Sequence, residues 1–292
     1  MYSSHGQEEK QMDISIPKHQ QKTVCRTEYG TLQKVILCKP EHMTIKDVIN
    51  ETQKHFEDDN IHVKTATDQH SRFVEALRSH NIEVILLPVH DGLPEQVFTR
   101  DIGFVIGEKA FLSSMTEPIR QGEEAIIKDF FHKQGISYTH MLHTSIEGGD
   151  VIIDGDTVYV GISQRTDMSA IGQLKEALPE YTVVPVQLHE KFLHLDCVFN
   201  IVSESEALIY PQALEPEEVD MLAKRYDLIE GLRMNNLRSA PMSFQSGVKR
   251  SSASLATAMS INSYRKEAIT SSKLTCQKLL NPAAPSGAVQ CR

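Results

Sequence analysis

The chain has 292 residues, 40% of them hydrophobic and 24% charged, which fits a soluble globular protein of one large domain or two small ones. A net charge of −9 makes nucleic acid and anionic membrane surfaces poor partners. The scattered cysteines (Cys25, Cys38, Cys197, Cys276 and Cys291) form no CxxC pair, so neither a zinc site nor a disulfide framework is expected. No apolar run is long enough to span a bilayer, and the polar start "MYSSHGQEEKQMD" is no signal peptide, so a cytoplasmic enzyme is expected.

Residues 1–22 read as a polar lead-in. "LQKVILC" (Leu32–Cys38) reads as a strand ended by Pro40. Phe73, Val74, Leu77 and Ile82 recur at helical spacing, and the buried strand "EVILLP" follows. "FVIG" and "AFLSS" read as a hairpin joined at Glu108-Lys109, before a helix "QGEEAIIKDFFHKQG" that stops at Gly135. "VIIDGDTVYVGIS" reads as a hairpin around Asp154-Gly155, followed by helix "SAIGQLKEALPE" and strand "TVVPVQL". "DCVFNIVSESEALIYP" is a third hairpin, with helix "EPEEVDMLAKRY" after it. Hairpin, helix, strand therefore recurs, and repeats of this kind stack around an axis where strand ends and hairpin tips converge.

The average charge hides a break. From Gly231 to the end there are nine Lys and Arg against one acidic residue, Glu267, so the front carries −17 and the tail +8. The tail is also rich in Ser and has no apolar period.

Three stretches in the front carry chemistry. "VFTRD" places Asp101 just before an apolar strand. "IEGGDVIID" places Glu147 at a strand entrance, with two glycines that permit close backbone approach. "FLHLDCVF" places His194 and Asp196 two apart, on one face if the segment is a strand. By the same alternation Cys197 faces away from His194, into the core. Taken singly, Asp101 reads equally as a loop cap, "EGGD" as a turn and His194 as a satisfied buried histidine; in this order, on hairpins of successive repeats, they are far more specific.

The order resembles the guanidino-group modifying superfamily of dimethylarginine dimethylaminohydrolases, arginine deiminases and amidinotransferases, over about residues 23–230. The resemblance implies an α/β fold, a five-bladed α/β propeller of ββαβ units. Its pattern of an Asp in an "RD" segment, an acid in "[ED]GGD" and a His in "HL" falls on Asp101, Glu147 and His194. It further implies that Asp101 and Asp196 pair with a substrate guanidinium, and that Arg120 in "EPIRQGE" and Arg165 in "GISQRTD" hold a substrate carboxylate. A cysteine thiolate would attack the guanidinium carbon. His194 would protonate the leaving amine and then activate water, and Glu147 would orient His194. No metal or organic cofactor is implied, and the partner is a small guanidino compound. The reaction is hydrolysis of arginine or a methylated arginine, or amidino transfer to an amine.

The departure is the nucleophile. The superfamily carries its cysteine near the C-terminus in an "SGG…RC" segment, and neither Cys276 in "KLTCQK" nor Cys291 in "SGAVQCR" has that context. No residue of this reading frame serves as nucleophile. Back-translated with degenerate codons and read one base upstream, "NPAAPSGA" permits K-S-G-G-A-F-R-C. By the same shift "SAPMSFQSG" permits L-G-T-N-V-L-S-I-G, "EAITSSKLTCQKLL" permits G-Y-H-V-I-E-V-D-M-S-E-I-I, and "LRMNNLRS" permits V-T-D-E-Q-F-T-L. Residues 231–292 are therefore expected to be an out-of-frame translation of the last blade, largely disordered as written; the alternative is a genuine basic, disordered tail whose shifted matches arise from codon freedom. The chain as written is then inactive, or a guanidine-binding pseudoenzyme.

Overall fold

The protein is described here as a computed structural model covering residues 23–54, 56–58, 60–141 and 144–230. The lead-in, the tail beyond Glu230 and the cysteines at 276 and 291 lie outside the described residues.

Three successive units share one plan. In the first, β3 (Gly103–Ile106) and β4 (Lys109–Leu112) pair antiparallel, α3 (Glu123–Gln134) crosses over, and β5 (Tyr138–His140) lies parallel to β4. β6 (Val151–Asp154), β7 (Thr157–Ile162), α4 (Met168–Ala177) and β8 (Thr182–Gln187) repeat it. So do β9 (Phe199–Ile201), β10 (Glu206–Ile209), α5 (Pro216–Ala223) and β11 (Asp227–Glu230). Ahead of them, β1 (Lys34–Leu37) and β2 (Glu83–Leu86) form a parallel pair joined through a single-turn helix, α1 (Glu51–Lys54), and a long one, α2 (Val63–Ser79). The described residues thus form four small sheets, three of them complete ββαβ units.

Local chemistry accounts for the elements. Gly107 and Gly155 turn the first two hairpins in the left-handed region, with φ of 56° and 63°. Gly135 ends α3 the same way, its N–H donating to the carbonyls of His132 and Phe131. Asp167 caps α4, accepting from the Ala170 N–H at 2.9 Å. Each helix buries one stripe on its sheet: Phe73, Val74 and Leu77 against Leu37, and Ala170, Ile171 and Leu174 against Ile153, Val158 and Val183. β6 is buried along its whole length, which explains its unbroken apolar run, and it carries the turn that holds Glu147 into the centre.

α2 begins at Val63, well ahead of Phe73, and ends at Ser79, so Ile82 lies beyond it, and β5 and β11 were not anticipated. At three and four residues with mixed polarity, these parallel strands carry too little pattern to be read without their partners. One expectation is corrected: residues 195–197 form a 3-10 turn rather than the start of a strand.

Candidate active site

The turn that closes on Asp101 hydrogen-bonds to itself, Asp101 N–H donating to the Phe98 carbonyl at 3.1 Å. The Asp101 carbonyl accepts from Gly148 N–H at 3.0 Å, which joins the start of the first unit to the start of the second. A side chain on Gly148 would collide with the Arg100 carbonyl, and one on Gly149 would lie 2.6 Å from His194 Nδ1 and 2.9 Å from Asp101 Oδ1. Both glycines of "EGGD" are therefore demanded by close approach.

That approach builds a buried trio. His194 Nε2 lies 2.9 Å from Glu147 Oε2, and its Nδ1 lies 3.8 Å from Asp101 Oδ1. All three residues are at most 1% exposed. Burial opposes ionisation of Glu147, but the His194 hydrogen bond and the charges of His194 and Arg120 outweigh it, leaving the carboxyl below its usual pKa. Asp150, the last residue of "EGGD", fixes the histidine from behind. Its Oδ1 accepts from Leu195 N–H at 2.9 Å, and its Oδ2 accepts from the Ser163 and Thr166 hydroxyls at 2.7 Å each. Burial pushes the Asp150 carboxyl up to about 6 despite these donors.

Arg120 is sealed into the same box. Its Nη1 donates to Asp101 Oδ2 at 2.8 Å and lies 3.7 Å from Glu147 Oε2, while Nη2 donates to Glu123 Oε2 at 2.8 Å. The guanidinium also lies over the Phe98 ring at 5.8 Å. Arg165 is 2% exposed; its Nη1 pairs with Glu117 at 3.1 Å and its Nη2 donates to the Ile49 carbonyl at 2.5 Å. A substrate-carboxylate ligand needs a free fork, and here the chain's own acceptors engage both arginines. Their expected role therefore requires an exchange of partners.

Asp196 is 3% exposed, with its Oδ2 3.2 Å from Arg100 Nε. Cys197 packs, half-buried, against the hydrophobic cluster around Phe199, as expected of a core residue, but it does not face away from His194. The 3-10 turn cancels strand alternation, and ligand atoms of His194, Asp196 and Cys197 all fall within 4.8 Å of one another. Asp101, Glu147 and His194 form a second such group. Either donor set could take a metal ion, but Arg100 on Asp196 and Arg120 on Asp101 already place fixed positive charge there.

Sequence reasoning missed Arg100, Glu123 and Asp150. Arg100 and Asp150 sat inside the quoted "VFTRD" and "EGGD" stretches, where a finer reading could have found them. Glu123 carries no signal beyond a first-turn acid on α3.

Repeated ββαβ units that close a histidine between two carboxylates at their hairpin entrances define the guanidino-modifying pentein class. A family profile described as "N,N dimethylarginine dimethylhydrolase, eukaryotic" matches residues 39–238, and the chain belongs to this family. It is 89% identical over 219 residues to the uncharacterized protein YkgA of Bacillus subtilis, covering 75% of this chain and 77% of that one. It is 29% identical over 187 residues to the bifunctional arginine dihydrolase/ornithine cyclodeaminase AgrE of Nostoc. That match takes in 62% of this chain but only 26% of the bifunctional enzyme. Among solved structures, the N-terminal domain of ArgZ, a cyanobacterial arginine dihydrolase bound to substrate, superposes with a TM-score of 0.62 at 25% identity. That superposition covers 68% of this chain and 75% of the other.

Proposed function

We propose that the site binds the guanidinium of an arginine-type substrate and, once supplied with a thiolate, hydrolyses its C–N bond. The observation that carries this is the buried Glu147–His194–Asp101 arrangement. It puts an acid-base group between a carboxylate that orients it and one that can pair with a cation. Asp101 and Asp196 accept the guanidinium N–H groups. The thiolate adds to the central carbon, forming S–C. His194 delivers its proton to the departing nitrogen as C–N breaks, releasing ammonia or an amine. His194 then takes a proton from water, whose oxygen attacks the same carbon and expels the thiolate, leaving a ureido product. Glu147 keeps the imidazole aligned and offsets its positive charge. Arg120 and Arg165 hold the substrate carboxylate after an exchange of partners, Arg165 leaving Glu117 and Arg120 leaving Asp101 or Glu123. An amine in place of water would give amidino transfer.

The thiolate belongs, on this reading, to the other reading frame. At 89% identity over the matched part, about a quarter of this chain and of YkgA lies outside the match. A change of frame leaves such an unmatched part without any substitution. The shifted readings of residues 268–280 and 281–288 join without a gap into G-Y-H-V-I-E-V-D-M-S-E-I-I-K-S-G-G-A-F-R-C. Residues 23–230 then form the catalytic propeller domain short of its fifth blade, and 231–292 its out-of-frame end. Restoring the frame after Glu230 and assaying ureido product from arginine and dimethylarginines tests both claims. Turnover that appears on restoration and vanishes when the restored cysteine is replaced supports them. Turnover by the chain as written, unchanged by replacing Cys291, overturns them.

A further inference from the structure

Asp150 ends the "EGGD" turn with a fully buried carboxylate that takes three donors. Oδ1 accepts from Leu195 N–H at 2.9 Å, and Oδ2 accepts from the Ser163 and Thr166 hydroxyls at 2.7 Å each. Each hydroxyl passes the contact on. Ser163 Oγ accepts from Arg165 N–H at 3.0 Å, and Thr166 Oγ1 accepts from Glu147 N–H at 3.2 Å. The three arms therefore end on the backbone of Glu147, on the backbone of Arg165 and on the residue after His194. These lie in three different places: the turn before β6, the segment after β7 and the 3-10 turn before β9. Gly161 in β7 leaves room for this hub, because a Cβ there would lie 2.6 Å from Asp150 Oδ1 and 2.8 Å from Leu195 Cβ.

Proton counting fixes the direction of the bonds. Each of the two hydroxyls faces an amide N–H, toward which it can only accept, so its single hydrogen is left for Asp150. An ionised carboxylate is acceptor-only and matches that demand. A side-chain amide in its place would turn N–H groups toward hydroxyls whose hydrogens already point at it. We propose that Asp150 is a positioning residue that sets Glu147, Arg165 and His194 in register with one another, acting through two hydroxyl relays and one backbone amide. The Thr166 arm aligns the Glu147–His194 pair and the Ser163 arm aligns Arg165, so the two are separable. The Arg165 part rests on the guanidino reading of the site; the Glu147–His194 part does not.

Two measurements on the full chain test this, both made well above the Asp150 value of about 6 so that the carboxylate is ionised. Nuclear magnetic resonance of the buried His194 ring, assigned by its disappearance in His194→Ala, reports the hydrogen shared between Nε2 and Glu147 Oε2. Calorimetric titration with L-arginine reports the Arg165 arm. Thr166→Val should move the Nε2–H signal upfield, as the bond to Glu147 loosens, and keep arginine affinity within about threefold. Ser163→Ala should leave the ring signal in place and weaken arginine by about 3- to 10-fold. Asp150→Asn should do both. Thermal melts show which variants are folded; a loss of stability by itself does not move the ring signal of the folded molecule. A ring signal untouched by Thr166→Val in a folded protein overturns the proposal, and so does one that Ser163→Ala moves equally. Should Asp150→Asn fail to fold, these two single-arm variants decide. No binding of arginine by the unaltered chain overturns the guanidino reading, while the ring signal still decides whether Asp150 aligns the Glu147–His194 pair.

Discussion

Glu147 makes contacts to three basic side chains: His194 at 2.9 Å, Arg120 at 3.7 Å and Arg165 at 3.8 Å. Its backbone is held as well, the N–H donating to Thr166 Oγ1 at 3.2 Å. Replacing it by Gln keeps the shape and removes the charge that stabilises a protonated His194. In the frame-restored protein, Glu147→Gln is expected to lower kcat by about 10² to 10⁴, and His194→Ala by at least as much. Steady-state assays check both, and wild-type kcat in either variant would remove that residue from the mechanism. Glu147→Ala should also destabilise the fold, by about 3–5 kcal/mol, because it strands buried positive charge. Chemical unfolding reads that difference.

At the scale of elements, α3 and the turn before β6 carry the pH response. Burial pushes Glu123, in the first turn of α3, up to about 7 even though Arg120 opposes the shift. Asp150 stands at about 6. Both carboxyls hold protons in the folded chain that the unfolded chain releases at their ordinary values of 4.5 and 3.8. Their contribution to stability is full below those ordinary values and is lost as pH rises through about 6 and then about 7. Glu147, shifted down, works the other way: its contribution is present above its ordinary 4.5 and is lost as pH falls further. The melting temperature should therefore peak near pH 4, between the loss of the Glu147 contribution below 4.5 and the onset of the Asp150 and Glu123 losses above 3.8 and 4.5, and should fall from there toward neutrality. Glu123→Gln should flatten the decline between pH 5 and 7; an unchanged profile would exclude Glu123 as its source. In α4, Asp167→Ala removes the acceptor for Ala170 N–H and should cost about 1 kcal/mol, again measured by unfolding.

For the whole molecule, the repeated units are tied across their boundaries by a few polar anchors. Asp154 accepts from the Tyr226 hydroxyl at 2.7 Å, the Tyr29 hydroxyl at 3.1 Å and Arg225 Nη2 at 3.1 Å, linking the N-terminal segment, the second ββαβ unit and the end of the third. If a further blade belongs to this protein, restoring the frame after Glu230 should raise the melting temperature and confer turnover together. Sequencing the coding DNA across that codon is the direct check. A base gained or lost there relative to close relatives supports the frame reading, and an intact frame sinks it.

The repeat was legible because each hairpin has a turn glycine or a polar break and each helix a clear apolar stripe, as with Gly155 and with Ala170, Ile171 and Leu174. The family resemblance was legible because "VFTRD", "EGGD" and "HL" are local. So was the compositional break at Gly231, since charge and apolar period are properties of the chain alone. The tertiary structure decided what stands next to what. Only packing of one unit against the next brings Asp101 and Glu147 to opposite sides of His194 and pairs Arg120 with Asp101 and Glu123; the turn at 195–197 brings Cys197 close to His194 and Asp196. Spacing in sequence fixes direction only within one regular element, and these contacts run between elements, where a single 3-10 turn reverses the alternation that a strand would have imposed.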